Sequence, residues 1–416
     1  MKSCKFLLLF LLLAVDCFGA GLADLQEQAV TNRQVVEKYR QALERAGHDE
    51  TAARSPYYPS VDLSYTANLL DDDTFLEHRD NSVVYGAVRW NVFSGWRDRY
   101  GLRAAHWQTE AEAGRLNAIK QEIRLAVALR YLAIYAAGAN LLVAQDSFSS
   151  LQKVLRDSEN RFQAGLTRKN DLLKSQVDLD NAGITLKRAA AEVDRGWRLL
   201  AREVGAEPDR EQLAFSEFDD LPVLPGPEEL ERQLLAGRSE LRVLAKQAAA
   251  ADEQVGLELA SRYPRVDLTG SYRRYEDHPL AGFGDDTEEE VRNQLVVSYN
   301  LFDGFARQAR VARAGAQARA VRQELAELQA ELTTELYNLY QDFQVECGNV
   351  AAAAGGIIQA EENLRVTRLA YDEGLETEAN LLDAVAGLTR ARSNLAAAKR
   401  AVFDNYFRIL RTTEGF

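Results

Sequence analysis

The chain repeats itself at a fixed interval. Asn91-Val-Phe-Ser-Gly-Trp96 returns as Asn300-Leu-Phe-Asp-Gly-Phe305, 209 residues later. Gly165-Leu166, followed by Leu172-Leu173, returns as Gly374-Leu375 and Leu381-Leu382 at the same offset of 209. A third pair, Tyr58-Pro-Ser-Val-Asp-Leu63 and Tyr263-Pro-Arg-Val-Asp-Leu268, precedes both in each half. An offset that holds from residue 91 to residue 173 leaves no insertion or deletion across that stretch. The expectation is one structural unit built twice, over 24–207 and 230–416, with an acidic, proline-marked segment 208–229 between them. That segment reads equally well as a plain flexible linker.

The prolines mark the joints. All eight, Pro56, Pro59, Pro208, Pro222, Pro225, Pro227, Pro264 and Pro279, leave 60–207 and 280–416 free of proline. Proline is costly inside a helix, so long proline-free stretches rich in Ala, Leu, Glu, Arg and Gln read as helical. Leu116, Ile119, Ile123, Val127, Tyr131 and Ile134 form one apolar stripe, and Leu325, Leu328, Leu332, Leu336, Tyr340 and Phe343 repeat its spacing. The first long segment spans Arg97 to Gln163, about 100 Å if wholly helical. Second helices are expected over Lys169–Glu203 and Glu378–Thr412, giving antiparallel hairpins that turn near Gly165 and Gly374. Helices of this length imply coiled-coil packing, and a narrow stripe suits a wall of helices better than one thick core.

Before each hairpin the period changes to two. Val61, Leu63, Tyr65, Ala67 and Leu69 alternate with polar residues, as do Val84, Gly86, Val88, Trp90 and Val92. Val266, Leu268, Gly270 and Tyr272, then Leu295, Val297, Tyr299 and Leu301, do the same in the second half. Strands are expected at about 59–69, 82–93, 264–275 and 293–302, each long enough for one tilted bilayer crossing. Periodicity alone would equally allow soluble, half-exposed hairpins. The aromatics Trp90, Phe93, Trp96, Tyr299, Phe302 and Phe305 gather at one end of the strands, as an interfacial girdle does. Four strands cannot close a barrel with a lumen, so the strands would be shared between chains, and three copies give twelve. The connecting segments, Asp71 to Asn81 and Glu276 to Glu290, are polar and acidic without an EF-hand pattern.

The start of the sequence decides between the two strand readings. Lys2 and Lys5 precede the apolar run Phe6 to Val15, and small residues follow at Gly19, Ala20, Gly21 and Ala23. This describes a secretory leader, 1–23, with cleavage after Ala23 or Ala20, and with lipidation of Cys17 as the alternative. Export places strands with no other core to cover at a membrane. Cys347 is then the only cysteine of the mature chain, which rules out an intramolecular disulfide. The net charge of -13 argues against nucleic acid as a partner. A mean hydropathy of -0.32, with no run of about 18 apolar residues, gives no expectation of a membrane-spanning helix. His48, His78, His106 and His278 are scattered, and neither a phosphate-binding glycine loop nor a nucleophile elbow is present. The sequence therefore points to no enzyme and to no cofactor.

These motifs resemble the TolC family of outer-membrane efflux channels. The likeness covers essentially the whole mature chain. It is carried by the duplicated Pro-x-Val-Asp-Leu strand start, by the Phe-x-Gly exits at Phe93–Gly95 and Phe302–Gly304, and by the tip Tyr371…Gly374…Asn380-Leu-Leu-Asp383-Ala384. The resemblance implies an α+β membrane protein, a homotrimer whose twelve-stranded barrel in the outer-membrane lipid continues into a periplasmic tunnel of helices. Segment 208–229 would lie in an equatorial belt, and the partners would be a periplasmic adaptor and an inner-membrane pump. It further implies a periplasmic gate at Asp383 and Asn380, where the family has two aspartates, with Asp171 and Lys174 at the matching first-half positions. Like charges meeting on a threefold axis favour cations. Gly165, Leu166, Gly374 and Leu375 match the tip positions that adaptors contact, and Asp62 and Asp267 would face the barrel lumen as solvated acids. The alternative, a soluble periplasmic coiled-coil scaffold or adaptor, should carry a small β-rich binding module between its helices, and none is evident.

Overall fold

The computed structural model describes residues 21–73, 79–211, 213–276 and 289–416. Most of the expected leader, His78, His278, Pro279 and the centres of both acidic loops lie outside the described residues. The elements run α1 Leu22–Asn32, α2 Gln34–Ala53, β1 Ser60–Leu69, β2 Asp80–Phe93, α3 Arg97–Gln163 and α4 Lys169–Val204. The second half follows with α5 Pro227–Gly237, α6 Ser239–Leu259, β3 Arg265–Glu276, β4 Glu289–Ser298, α7 Ala306–Asp372 and α8 Glu378–Thr413. Helices α3 and α7 are each 67 residues long, and α4 and α8 are each 36.

The stripes read from the sequence are the packing surfaces. Ile123, Val127, Tyr131 and Ile134 are buried in a cluster with Leu25 of α1, Leu200 of α4 and Phe407 of α8. Leu332, Leu336 and Phe343 are buried against Leu230 and Leu234 of α5 and Ile409 of α8. Four short helices were not anticipated. α1 and α2 lie along α3, α5 packs on α7, and α6 sits between α3 and α7, joining the two repeats. Pro227 occupies the first turn of α5, where its missing N–H costs nothing.

Two expectations are corrected here. Segment 208–229 is not a free tether, because Leu213 and Phe218 are buried in the main cluster. Phe215 stacks on Tyr131 at 4.7 Å, and the Tyr131 hydroxyl donates to the Ala214 carbonyl. Aromatic anchoring thus outweighs the proline and acid content that made the segment look flexible. Secondly, α3 does contain a stretch long and apolar enough, by composition, to cross a membrane. About a third of that stretch is buried against neighbouring helices, Val127, Ala128, Tyr131 and Leu132 among it.

The second strand of each repeat enters its long helix through the same corner. Gly95 and Trp96 have φ of 68° and 67°, and Gly304 and Phe305 repeat this at 64° and 67°. A Cβ on Gly95 would lie 2.5 Å from the Ala260 carbonyl oxygen, so only glycine fits. A left-handed aromatic costs about 1–2 kcal/mol of backbone strain. Trp96 offsets this by edge-on contacts with Phe93 at 5.1 Å and Tyr263 at 5.0 Å.

The strands form one antiparallel sheet in the order β1-β2-β3-β4, so β2 and β3 join the two repeats. One face carries Val61, Leu63, Tyr65, Val84, Val88, Leu268, Tyr272, Leu295 and Val297, and all of these are exposed. On this face the apolar band ends where Arg274 pairs with Glu289 across β3 and β4. β1 and β4 are open edges within the chain. The fourth strand spans Glu289–Ser298, four residues earlier at each end than the expected 293–302. Ser298 lies opposite Arg265, the first residue of β3, so Tyr299 to Phe302 have no strand beside them in this chain.

Candidate gate and docking tips

The two hairpin tips are built alike. At the first, the Gly165 N–H bonds to the Phe162 carbonyl at 2.9 Å and the Leu166 N–H to the Arg161 carbonyl at 2.8 Å. At the second, the Gly374 N–H reaches the Tyr371 carbonyl at 3.0 Å and the Leu375 N–H the Ala370 carbonyl at 2.8 Å. This pair of bonds closes a helix when the residue after its end is left-handed, and both glycines have φ of 74°. The following leucine usually folds back on its own helix. Here Leu166 and Leu375 remain 76% and 81% exposed, each presenting an apolar side chain to whatever meets the tip.

Just above the tips the two hairpins are joined by a buried polar cluster. Glu378, in the first turn of α8, is only 6% exposed. It accepts hydrogen bonds from Ser158 of α3 at 2.9 Å and from Ser175 of α4. Its position at the N-terminus of α8 also favours a negative charge. Beside it, the Arg161 guanidinium lies 4.1 Å from the centre of the Tyr371 ring and donates to the Tyr371 carbonyl at 2.9 Å. Burial, reinforced by the nearby Glu378 charge, pushes the Tyr371 phenol above its ordinary range. Val154, Leu381 and Leu382 close the cluster on its apolar side. Sequence reasoning missed Glu378. Read locally it is a first-turn acid after the N-cap Thr377, and its partners stand 203 and 220 residues away.

The expected gate residues separate into different environments. Asp383 is exposed on α8 and lines, with Lys174, Asp178 and Arg390, a cleft of about 740 Å³ between the hairpins. Lys174 and Asp383 are equivalent positions of the two repeats, and the fold brings them, with opposite charges, to one cleft. Asn380 does not line it. Its backbone N–H is capped by the Thr377 hydroxyl at 3.3 Å, and its side-chain amide donates to Glu376 at 2.5 Å. Asp171 is half-buried in the first turn of α4, with the Thr167 hydroxyl 3.4 Å away.

Asp62 and Asp267 lie on the polar face of the sheet, and neither is free. Asp62 pairs with Arg89 at 3.3 Å and Asp267 with Arg265 at 2.8 Å, and both pairs keep contact with solvent. The arginines face the same side because they keep the parity of the strand alternation. Among the described residues, no group of three His, Cys, Asp or Glu is placed to hold a metal ion.

Comparison with known proteins agrees with this architecture. The family model described as outer membrane efflux protein matches residues 25–206 and 230–412. Protein CyaE of Bordetella pertussis is 29% identical over 356 residues, 82% of this chain and 72% of that protein. Outer membrane protein TolC of Vibrio cholerae is 22% identical over 399 residues, 92% of this chain and 88% of that protein. The crystal structure of the outer membrane protein VceC from Vibrio cholerae shares the fold, with a TM-score of 0.80 at 18% identity over 94% of this chain and 95% of that one. With both repeats matched in order and the fold shared over nearly its full length, the chain belongs to the outer membrane efflux protein family.

Proposed function

We propose that this outer-membrane protein is the passive exit duct of a tripartite efflux or type I secretion system. It would act as a homotrimer that docks with a periplasmic adaptor and an inner-membrane pump. The observation that carries this reading is the sheet. Four strands with an exposed apolar face and two open edges have no core of their own to cover. Lipid on the apolar face and neighbouring copies on both edges would satisfy them together. Each copy would contribute the repeats 24–207 and 230–416, with segment 208–229 on the outside of the helical wall.

In this reading the hairpins carry the path into the periplasm, Leu166 and Leu375 with their glycines meet the adaptor, and Asp383 lines the narrowing near the tips, with Asn380 and Asp171 beside it. A passive duct would draw the energy for transport from the pump. Purified protein in detergent should run as a heat-sensitive trimer and insert conducting channels into planar bilayers. A monomer that stays soluble without detergent and gives no conductance would refute the duct and favour a scaffold.

A further inference from the structure

We propose that Arg273 and Arg292 form an anion-accepting ring on the inner wall of the barrel, suited to cargo bearing carboxylate or phosphate groups. The inference rests on the duct reading, because it needs the polar face of the sheet to line a closed lumen.

The register places both side chains on that face. Arg273 stands opposite Tyr85 on one side and Glu290 on the other, and Arg292 stands opposite Ser271. Among the described strand residues, the polar face carries Arg89, Arg265, Arg273 and Arg292 against Asp62, Asp267 and Glu290. The excess is not spread evenly. Two acids have one arginine each, Asp62 with Arg89 and Asp267 with Arg265. Six residues further along β3 than Asp267, about 20 Å at 3.3 Å per residue, one carboxylate serves two guanidiniums, and Asp62 lies in the register row of Arg292 at the opposite edge of the sheet. Glu290 lies 3.7 Å from Arg273 and also pairs with Arg292.

Among the described residues that level therefore carries one uncompensated positive charge per copy, and three around a trimer, in a protein whose net charge is -13. Arg273 is also held in place by the Tyr85 ring, 5.2 Å from its guanidinium carbon. Planar guanidiniums present paired donors that match carboxylate and phosphate oxygens, and rings of arginine favour anions in pores. Overall charge and the acid at the tip point to cations, whereas this level of the barrel points to anions. The two would act in series at opposite ends of the duct.

The test uses the full-length trimer in planar bilayers, with inositol hexakisphosphate added on the barrel side as a polyanionic probe. The wild-type current should be blocked. The double variant R273Q/R292Q should need about tenfold more probe for half-block, equivalent to about 1.4 kcal/mol. Glu290→Gln, which frees both arginines, should shift half-block the opposite way. That isosteric variant decides the question alone if the double variant fails to assemble. Equal block of the wild type and R273Q/R292Q, or weaker block of Glu290→Gln, would overturn the ring while leaving the duct intact. A wild-type protein that forms no conducting trimer would overturn the duct, and the ring with it.

Discussion

Replacing Glu378 by alanine removes a carboxylate that holds the two hairpins together above the tips. The side chain is 6% exposed and accepts from Ser158 and Ser175, which belong to the other hairpin. Hydrogen bonds to a charged group contribute about 1.5–3 kcal/mol each, and the two here are not additive because they share one carboxylate. Alanine also strands two buried hydroxyls. A loss of about 3 kcal/mol follows, which raises the population of separated tips about 150-fold. Glutamine keeps the volume and one oxygen acceptor, so Glu378→Gln should cost about 1 kcal/mol, or about fivefold. The assay is maleimide labelling of Leu381→Cys, a buried position in the same cluster, in a Cys347→Ser background. Labelling through transient opening should accelerate about 150-fold with alanine. Adding Ser175→Ala to Glu378→Ala should change little more. An acceleration below about threefold would mean that the apolar contacts of Val154, Leu381 and Leu382 hold the tips without the carboxylate.

The other expectations concern the tips, the gate and the main core. Leu166→Asp and Leu375→Asp should leave thermal stability within about 0.5 kcal/mol, because neither side chain packs within the chain, yet lower export in cells at constant trimer yield. Full export would remove the docking role. At the gate, Asp383→Asn should move the reversal potential of the channel toward anions and Lys174→Gln toward cations. Two unchanged potentials would place the selective narrowing elsewhere. In the core, burial and the Glu217 charge push the Tyr131 phenol up from its ordinary range. A group raised in the folded state stabilises below its unfolded pKa of about 10 and loses that contribution as pH climbs above it. Tyr131→Phe should therefore cost about 1 kcal/mol at neutral pH and flatten the alkaline loss of stability seen in thermal melts.

What the sequence made legible is whatever repeats or alternates. The long helices, the hairpin turns and the two faces of the sheet follow from proline positions, a 3.6-residue stripe and a two-residue alternation, all of which act within a few turns. The short helices α1, α2, α5 and α6 were missed because they owe their place to packing along α3 and α7 and have no long stripe of their own. The end of β4 was misplaced because alternation continues to Leu301 while the pairing strand begins only at Arg265. Charges were the least legible. Nothing near Asp62 in sequence announces Arg89, and nothing near Glu378 announces Ser158 and Ser175. Such partners are fixed by register and by the docking of hairpins, which local spacing does not encode.

The equal lengths of α3 and α7, and of α4 and α8, also restrict how such a protein can change. Inserting one residue into a single long helix would push its tip about 1.5 Å out of level and turn every following side chain by about 100°. A change in one repeat would then need an identical change in the other to keep both tips flush. Adaptation to a new cargo or partner is thereby confined to exchanging side chains along walls of fixed length, while growth in size is left to the loops beyond the strands.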